Sequence, residues 1–204
     1  TQEEIENEQL QKQENTIKSL DRSLENIKDQ DQTLKELSKS QKESEQLNWN
    51  DKKKLEKFLM KQQEQQKIMK NFSKELNENL ENFQPKNRDN DPFKEQLRER
   101  FQENEKLLEK NEKLMEELEK LQDKIQKEEL TEKLEQLSKQ NKNQEKNLEQ
   151  LLELTKRYYV TKKAEKLAEE LNKLAEEQEK LTNVKDEKNT KEDQERLNKK
   201  FKEY

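Results

Sequence analysis

Residues 130–158 read LTEKLEQLSKQNKNQEKNLEQLLELTKRY and carry the clearest periodicity in the chain. Their seam residues recur every seven positions: Leu130, Leu137, Gln144, Leu151 and Tyr158. Glu, Lys and Gln, which are good helix formers, occupy most positions between them. A seven-residue repeat in such a background predicts an α-helix with one narrow stripe of seam residues. A stripe this narrow stabilises a helix only through packing, so we expect this helix to lie along helical neighbours.

Three other segments show the same spacing. In the first, the seam consists of Leu10, Ile17 and Leu24 at a positions with Leu20, Ile27 and Leu34 at d positions. In the second, it consists of Leu55, Gln62, Met69, Leu76 and Phe83 with Phe58, Gln65 and Phe72. In the third, it consists of Leu97, Asn104, Asn111, Leu118 and Ile125 with Leu107, Leu114 and Leu121. Gln and Asn in a seam lower stability and help to specify register.

Additional apolar residues widen two of these seams. They are Leu59 and Leu80 in the second segment and Phe101, Leu108 and Met115 in the third. A wider stripe is typical of helices that contact two neighbours in a bundle. After Tyr158 the register slips, and we expect a new seam of Leu167, Leu171, Leu174, Gln178 and Leu181. The sequence of residues 166–170, KLAEE, recurs one heptad later at residues 173–177.

The composition excludes a broad globular core. Of 204 residues, 46% are charged and 25% are hydrophobic, against roughly 25% and 45–50% in an ordinary domain. Intrinsic disorder is the rival interpretation, but 44 basic and 49 acidic residues leave a net charge of only −5, with both signs interspersed. The absence of Gly disfavours β-hairpins, and no apolar run reaches the ~18 residues of a membrane span. We predict an all-α fold: an elongated antiparallel helical bundle or coiled coil of four long helices plus a short C-terminal helix.

Helix-breaking and capping residues divide the chain. Pro85 and Pro92 indicate a loop over residues 83–91, between a helical arm at 1–82 and a second arm at 92–181. We expect a bend at 47–51, where Asn48 and Asn50 can cap, and a break near 127–131, where the heptads shift. A polar loop at 182–190 then precedes a short helix at 191–204, for which Thr190 and Asp193 form a capping box. Since the first residue is Thr1, we expect a piece of a longer protein.

Three stretches carry a resemblance to a known family: LNWNDKKKL at 47–55, NLEQLLELTKR at 147–157 and LNKLAEEQEKL at 171–181. In this order they resemble the C-terminal helical region of large membrane-anchored Bacteroidota proteins of unknown function. The resemblance implies transmembrane helices and sheet-rich extracytoplasmic modules upstream of this chain, which would then lie in the periplasm. It implies no activity, substrate or site residue.

The residue types needed for most enzyme chemistry are missing. The chain has no His for acid–base work, no Cys nucleophile and no Gly-rich phosphate loop. Acidic pairs such as Glu116-Glu117 and Glu169-Glu170 point about 100° apart on a helix and match no calcium loop. We therefore predict a non-enzymatic protein with no catalytic, cofactor or metal site and no small-molecule substrate.

Partner contact is expected at six residues: Trp49, Lys156, Arg157, Tyr159, Lys162 and Lys163. Trp is enriched in binding hot spots. The other five belong to the basic-aromatic stretch 156–163, which could contact a protein or, as the alternative function, phosphates and bases of nucleic acid. The acidic net charge favours a protein. We thus predict a scaffold or spacer module with protein partners; whether its seams close within one chain or between copies stays open.

Overall fold

The computed structural model describes residues 2–43, 48–82, 92–121, 127–182 and 191–202, and all of them except Asn48 are helical. The helices are α1 (Gln2–Glu43), α2 (Trp49–Asn82), α3 (Pro92–Leu121), α4 (Lys127–Thr182) and α5 (Lys191–Lys202). No strand occurs among these residues. The predicted all-α class is therefore confirmed.

The start of α2 follows from local chemistry. The side-chain Oδ1 of Asn48 accepts a hydrogen bond from the backbone N–H of Asp51 (2.9 Å), and its carbonyl accepts one from the N–H of Lys52 (3.0 Å). This is the geometry of an N-cap, which satisfies donors that a helix start would otherwise leave unpaired. The hydroxyl of Ser40 in α1 donates to the buried carboxylate of Asp51 at 2.7 Å. The cap and this bond together hold the end of α1 beside the start of α2.

Replacing Asn48 with alanine is expected to lower the free energy of unfolding by about 0.5–2 kcal/mol, because the cap acceptor is lost. Urea unfolding followed by circular dichroism at 222 nm measures this difference. Asn50→Ala is the matched control, since Asn50 is exposed in the same turn but lies inside α2, past the cap position. Equal effects of the two substitutions would contradict the assignment of the cap to Asn48.

Polar contacts join neighbouring helices of the bundle. Between α1 and α2, Asn26 binds Gln65 and Ser40 binds Asp51; between α2 and α3, the pairs are Gln63–Glu119, Lys70–Glu112 and Ser73–Asn104. Between α3 and α4 they are Glu103–Asn147, Asn111–Gln144 and Glu117–Lys133; between α1 and α4 they are Lys28–Glu149, Asp31–Ser138 and Lys42–Glu135. In each of these four helix pairs, a contact further along one helix reaches a residue earlier in the other helix.

The seams predicted for α2 and for the first part of α4 are confirmed by burial. The buried heptad residues of α2 are Leu55, Gln62, Met69 and Leu76 with Phe58, Gln65 and Phe72. Those of α4 are Leu130, Leu137, Gln144, Leu151 and Tyr158. Leu59 and Leu80 are also buried, so the wider stripe expected for α2 is present.

In α1 the buried seam departs from the predicted one. The predicted a residues of α1, Leu10, Ile17 and Leu24, are only half-buried. The buried heptads of α1 are instead Gln13, Leu20, Ile27, Leu34 and Gln41 with Thr16, Ser23, Gln30 and Leu37. The prediction was wrong at these a positions of α1 because it gave them to apolar residues rather than to Thr, Ser and Gln. In α3 the predicted residues Leu97, Asn104, Asn111, Leu114 and Leu118 are buried, and so are Phe101, Leu108 and Met115, which were expected to widen the seam. The prediction for α3 is therefore confirmed at these positions and wrong at Leu107, which is half-buried.

The chain divides into two compact units, Thr1–Lys156 and Arg157–Tyr204, and the boundary lies within α4. In the second unit α5 accompanies the end of α4: Gln178 and Gln194 exchange amide hydrogen bonds of 3.2 and 2.8 Å, and Lys200 binds Glu177 at 2.9 Å. Of the new seam expected here, Leu174 is buried, whereas Leu171 is 43% exposed. The prediction was therefore wrong at Leu171. After Tyr158 the buried residues of α4 are isolated from one another and do not form a continuous seam.

Several predicted boundaries lie outside the described residues. The loop at 83–91 does so entirely, as do residues 183–190 of the loop at 182–190, residues 203–204 of the last helix and part of the bend at 47–51. The break expected near 127–131 lies in α4, which begins at Lys127. Within the described ranges, no helix combines the length and the apolar character that crossing a bilayer requires.

Candidate interaction surface

The structure distributes the basic-aromatic stretch of α4 between surface and interior. Arg157 and Lys163 are exposed and Tyr159 is half-buried. The Nζ of Lys163 lies 5.7 Å from the ring centroid of Tyr159, so these two form one surface feature. Lys156 is also exposed and is the last residue of the first unit.

Lys162 does not belong to that surface. It is only 6% exposed, and its Nζ lies 3.0 Å from the carboxylate of Glu165 and 5.4 Å from the ring centroid of Tyr158. Tyr158 itself is 2% exposed. A lysine held between a carboxylate and a buried ring has already exchanged water for protein partners. The stretch therefore presents three basic side chains to solvent, Lys156, Arg157 and Lys163, rather than a continuous basic-aromatic track.

Trp49, the other predicted contact residue, is the first residue of α2 and is 71% exposed. The Nζ of Lys53, one turn later, lies 4.7 Å from the centroid of the ring. A cation–π contact at an exposed site contributes only about 0.5–1 kcal/mol. Lys53 therefore holds the indole face only weakly, and Trp49 stays a predicted contact residue.

The interior of the first unit contains a feature that the periodicity only partly indicated. We call it the polar belt, and it consists of the buried amide residues Gln30, Gln62, Gln65, Gln66, Asn111, Asn141 and Gln144. In each of the four helices these residues lie between apolar seam residues. On one side is a buried cluster that includes Leu34, Phe58, Leu118 and Leu134. The belt therefore interrupts the hydrophobic core of the bundle.

Hydrogen bonding satisfies the polar belt only in part. Asn111 donates to Gln144 at 2.7 Å and Asn26 donates to Gln65 at 3.1 Å. Both amide atoms of Asn141 are buried without a hydrogen-bond partner in the described part of the chain, as is one amide atom of Gln62. Each such group costs about 1–3 kcal/mol. The sequence analysis did not predict the burial of Gln66 and Asn141. The seven-residue series 59–66–73–80 and 134–141–148 could have identified them.

Charged side chains of the first unit pair across neighbouring helices at the surface. Lys70 binds Glu112 at 2.6 Å between α2 and α3, and Lys133 binds Glu117 between α3 and α4. The hydrogen bond to Glu117 raises the pKa of Lys133 above the ordinary value of 10.5, while desolvation opposes the shift. Exposed pairs of this kind contribute little to stability but disfavour other registers.

Replacing Glu117 with glutamine is expected to lower the pKa of Lys133 toward its ordinary value, because the charged hydrogen bond is removed. An NMR titration that follows the Cε and Nζ signals of Lys133 measures this change. Because the folded-state pKa is raised, the stabilisation by the pair is complete below about pH 10.5 and is lost as the pH rises through the folded-state pKa. Glu116→Gln is the control, since Glu116 pairs with Lys120; a Lys133 pKa unchanged by Glu117→Gln would contradict the assignment.

Among the described residues, no group of three or more acidic, His or Cys side chains is arranged to hold a metal ion. No protein-family model, curated protein or solved structure matches this chain.

Proposed function

We propose that this chain is a non-enzymatic scaffold or spacer module, an elongated antiparallel helical bundle that holds other protein components at a distance. One observation carries the proposal: buried residues recur at heptad spacing along α1, α2 and α3 and along α4 as far as Tyr158, while charged side chains pair with each other at the surface. Such a molecule offers length and faces for contact, since a 42-residue helix such as α1 spans about 63 Å.

The reversed order of the cross-helix pairs supports the antiparallel arrangement. With helices joined by segments of only a few residues, such as 44–48 between α1 and α2, an up-down-up-down path is the natural topology. The polar belt supports a role in which register matters more than stability, because buried amides in a seam disfavour shifted packings.

The proposal extends to the parent protein. From the resemblance of 47–55, 147–157 and 171–181, we propose that the module belongs to a larger membrane-anchored protein and lies in the periplasm. Membrane-spanning segments encoded upstream of this chain are the expected result; an upstream sequence without them would overturn this part.

Far-ultraviolet circular dichroism and small-angle X-ray scattering on the isolated chain test the module. We expect a strongly helical spectrum and a maximum dimension on the order of the helix length, about 60 Å or more. A random-coil spectrum in dilute buffer would overturn the proposal, because thin seams stabilise helices only when those helices pack.

A salt titration against generic RNA and DNA tests the alternative function through residues 156–163. Since the chain is net acidic and Lys162 is already paired with Glu165, we expect no binding at low salt. Binding that weakens steeply with salt, and that Arg157→Glu removes, would instead favour a nucleic-acid module.

A further inference from the structure

The apolar contact that holds α5 against α4 is small. Among the twelve residues of α5, Leu197 alone is buried, at 7% exposure. Phe201, the other large apolar residue of α5, is 62% exposed. Between residues 163 and 182 of α4, Leu174 is the only buried residue, at 8% exposure. Each helix therefore contributes one buried leucine.

The polar bonds beside these two leucines are partly open to water. Gln178 follows Leu174 by one turn and Gln194 precedes Leu197 by one turn, and their amides exchange hydrogen bonds of 3.2 and 2.8 Å. Lys200 binds Glu177 at 2.9 Å, with 45% and 46% of the two side chains exposed. Bonds that water can replace contribute little to stability. Docking of α5 thus depends mainly on the two leucines.

α5 is also too short to be stable as a helix by itself. It has 12 residues, and isolated helices shorter than about 12–15 residues are marginal in water. By contrast, α2 in the first unit buries seam residues along its length, from Leu55 to Leu80. Local opening needs the least free energy where few apolar side chains are buried. α5 should therefore leave α4, and lose its helix, far more readily than the first unit opens.

We propose that α5 is a reversible strap on α4: it docks over Leu174 and undocks while the first unit stays folded. Undocking adds Leu174 to Leu171, which is 43% exposed one turn earlier, so that both lie on one open apolar face of α4. The inference goes beyond the proposed scaffold function, because it gives the module a contact face that a conformational change covers and uncovers.

Thiol labelling measures the undocked fraction, and the chain has no native cysteine to interfere. A Leu174→Cys thiol reacts with the reagent only when α5 has left it, whereas a Leu171→Cys thiol is open in both states. We expect Leu174→Cys to react at least about tenfold more slowly than Leu171→Cys. It should still react at least about tenfold faster than Leu118→Cys, which only opening of the first unit exposes. Each rate is divided by that of the same variant unfolded in urea.

Leu197→Ala tests the cause of docking. In the Leu174→Cys chain it removes the buried leucine of α5, so labelling should rise to within about twofold of the Leu171→Cys rate. Phe201→Ala is the matched control, since it removes a larger but exposed side chain from the same helix, and it should change labelling by less than about twofold. In the Leu118→Cys chain, Leu197→Ala should leave the rate unchanged, because the first unit stays folded.

Hydrogen exchange of the unsubstituted chain is the second measurement, because Leu174→Cys itself weakens docking. We expect the amides of α5 to exchange at least about a hundredfold faster than the seam amides of α2. They should nevertheless exchange more slowly than the amides of an unfolded peptide, since α5 is docked for most of the time.

Amides of α5 that exchange as slowly as those of α2 overturn the proposal, because α5 would then open only together with the first unit. Amides that exchange like those of an unfolded peptide overturn it as well, and so does a labelling rate of Leu174→Cys that Leu197→Ala leaves unchanged. None of these results contradicts the helical spectrum or the scattering dimension expected for the scaffold. Failure of the strap is therefore distinguishable from failure of the scaffold function.

Discussion

Phe101→Ala is expected to lower the free energy of unfolding by about 3–5 kcal/mol, the usual loss for a fully buried phenylalanine. Phe101 is 0% exposed in α3, and its ring lies 6.4 Å from that of Phe72 in α2, tilted by 52°. The substitution removes that ring pair and leaves a cavity between two helices. Since the free energy of unfolding of a domain is only about 5–15 kcal/mol, this substitution would remove a large part of it.

Urea unfolding followed at 222 nm measures the effect, and the chain supplies a matched control. Phe201→Ala removes the same side chain from α5, where it is 62% exposed, and should change stability by no more than about 0.5 kcal/mol. A loss below about 1 kcal/mol for Phe101→Ala would show that the α2–α3 contact is not part of the core.

Asn141→Leu is expected to raise stability by about 1–3 kcal/mol. Asn141 is 0% exposed, and both atoms of its amide group are buried without a hydrogen-bond partner in the described ranges. Leucine removes an unsatisfied polar group, which costs about 1–3 kcal/mol, and adds apolar burial of similar size. The larger side chain offsets part of the gain through overpacking. Leu134 and Leu148 already occupy the equivalent heptad positions.

The thermal midpoint measures this gain, at about 2–4 °C per kcal/mol for a chain of this size. Asn143→Leu is the control: Asn143 is exposed two residues away, so it gains the same helix propensity without burial. A lower midpoint for Asn141→Leu than for Asn143→Leu would contradict the energetic assignment. We also expect poorer dispersion of amide NMR signals in Asn141→Leu, because a polar residue that opposes shifted registers is removed.

The seams illustrate where sequence reasoning sufficed. In α2 the residues Leu55, Gln62 and Met69 share one seven-residue series, and the amide between two apolar residues still marks a buried position. In α1 the predicted stripe and the buried one share Leu20, Ile27 and Leu34 but differ in the residues beside them. Thr16, Ser23 and Gln30 became interior because α1 contacts two neighbours, which a single helix cannot reveal.

The predicted contact residues also differ in how far the sequence alone determines their exposure. The exposure of Trp49 was foreseeable from its position beside Asn48 and Asn50, where capping residues indicate a helix start. The burial of Lys162 was not foreseeable, since a lysine in a basic stretch is ordinarily solvated and only a partner such as Glu165 together with the ring of Tyr158 makes burial acceptable.

By itself, the amino-acid order determined that this chain is helical, where its seams repeat and that its surface is charged, because these properties follow from local propensity and a 3.5-residue period. Only the tertiary structure decided which of two adjacent stripes faces inward, which amides form the polar belt and which leucines stay open on α4. Burial depends on the number and position of neighbouring helices, and that information is shared among segments far apart in the chain.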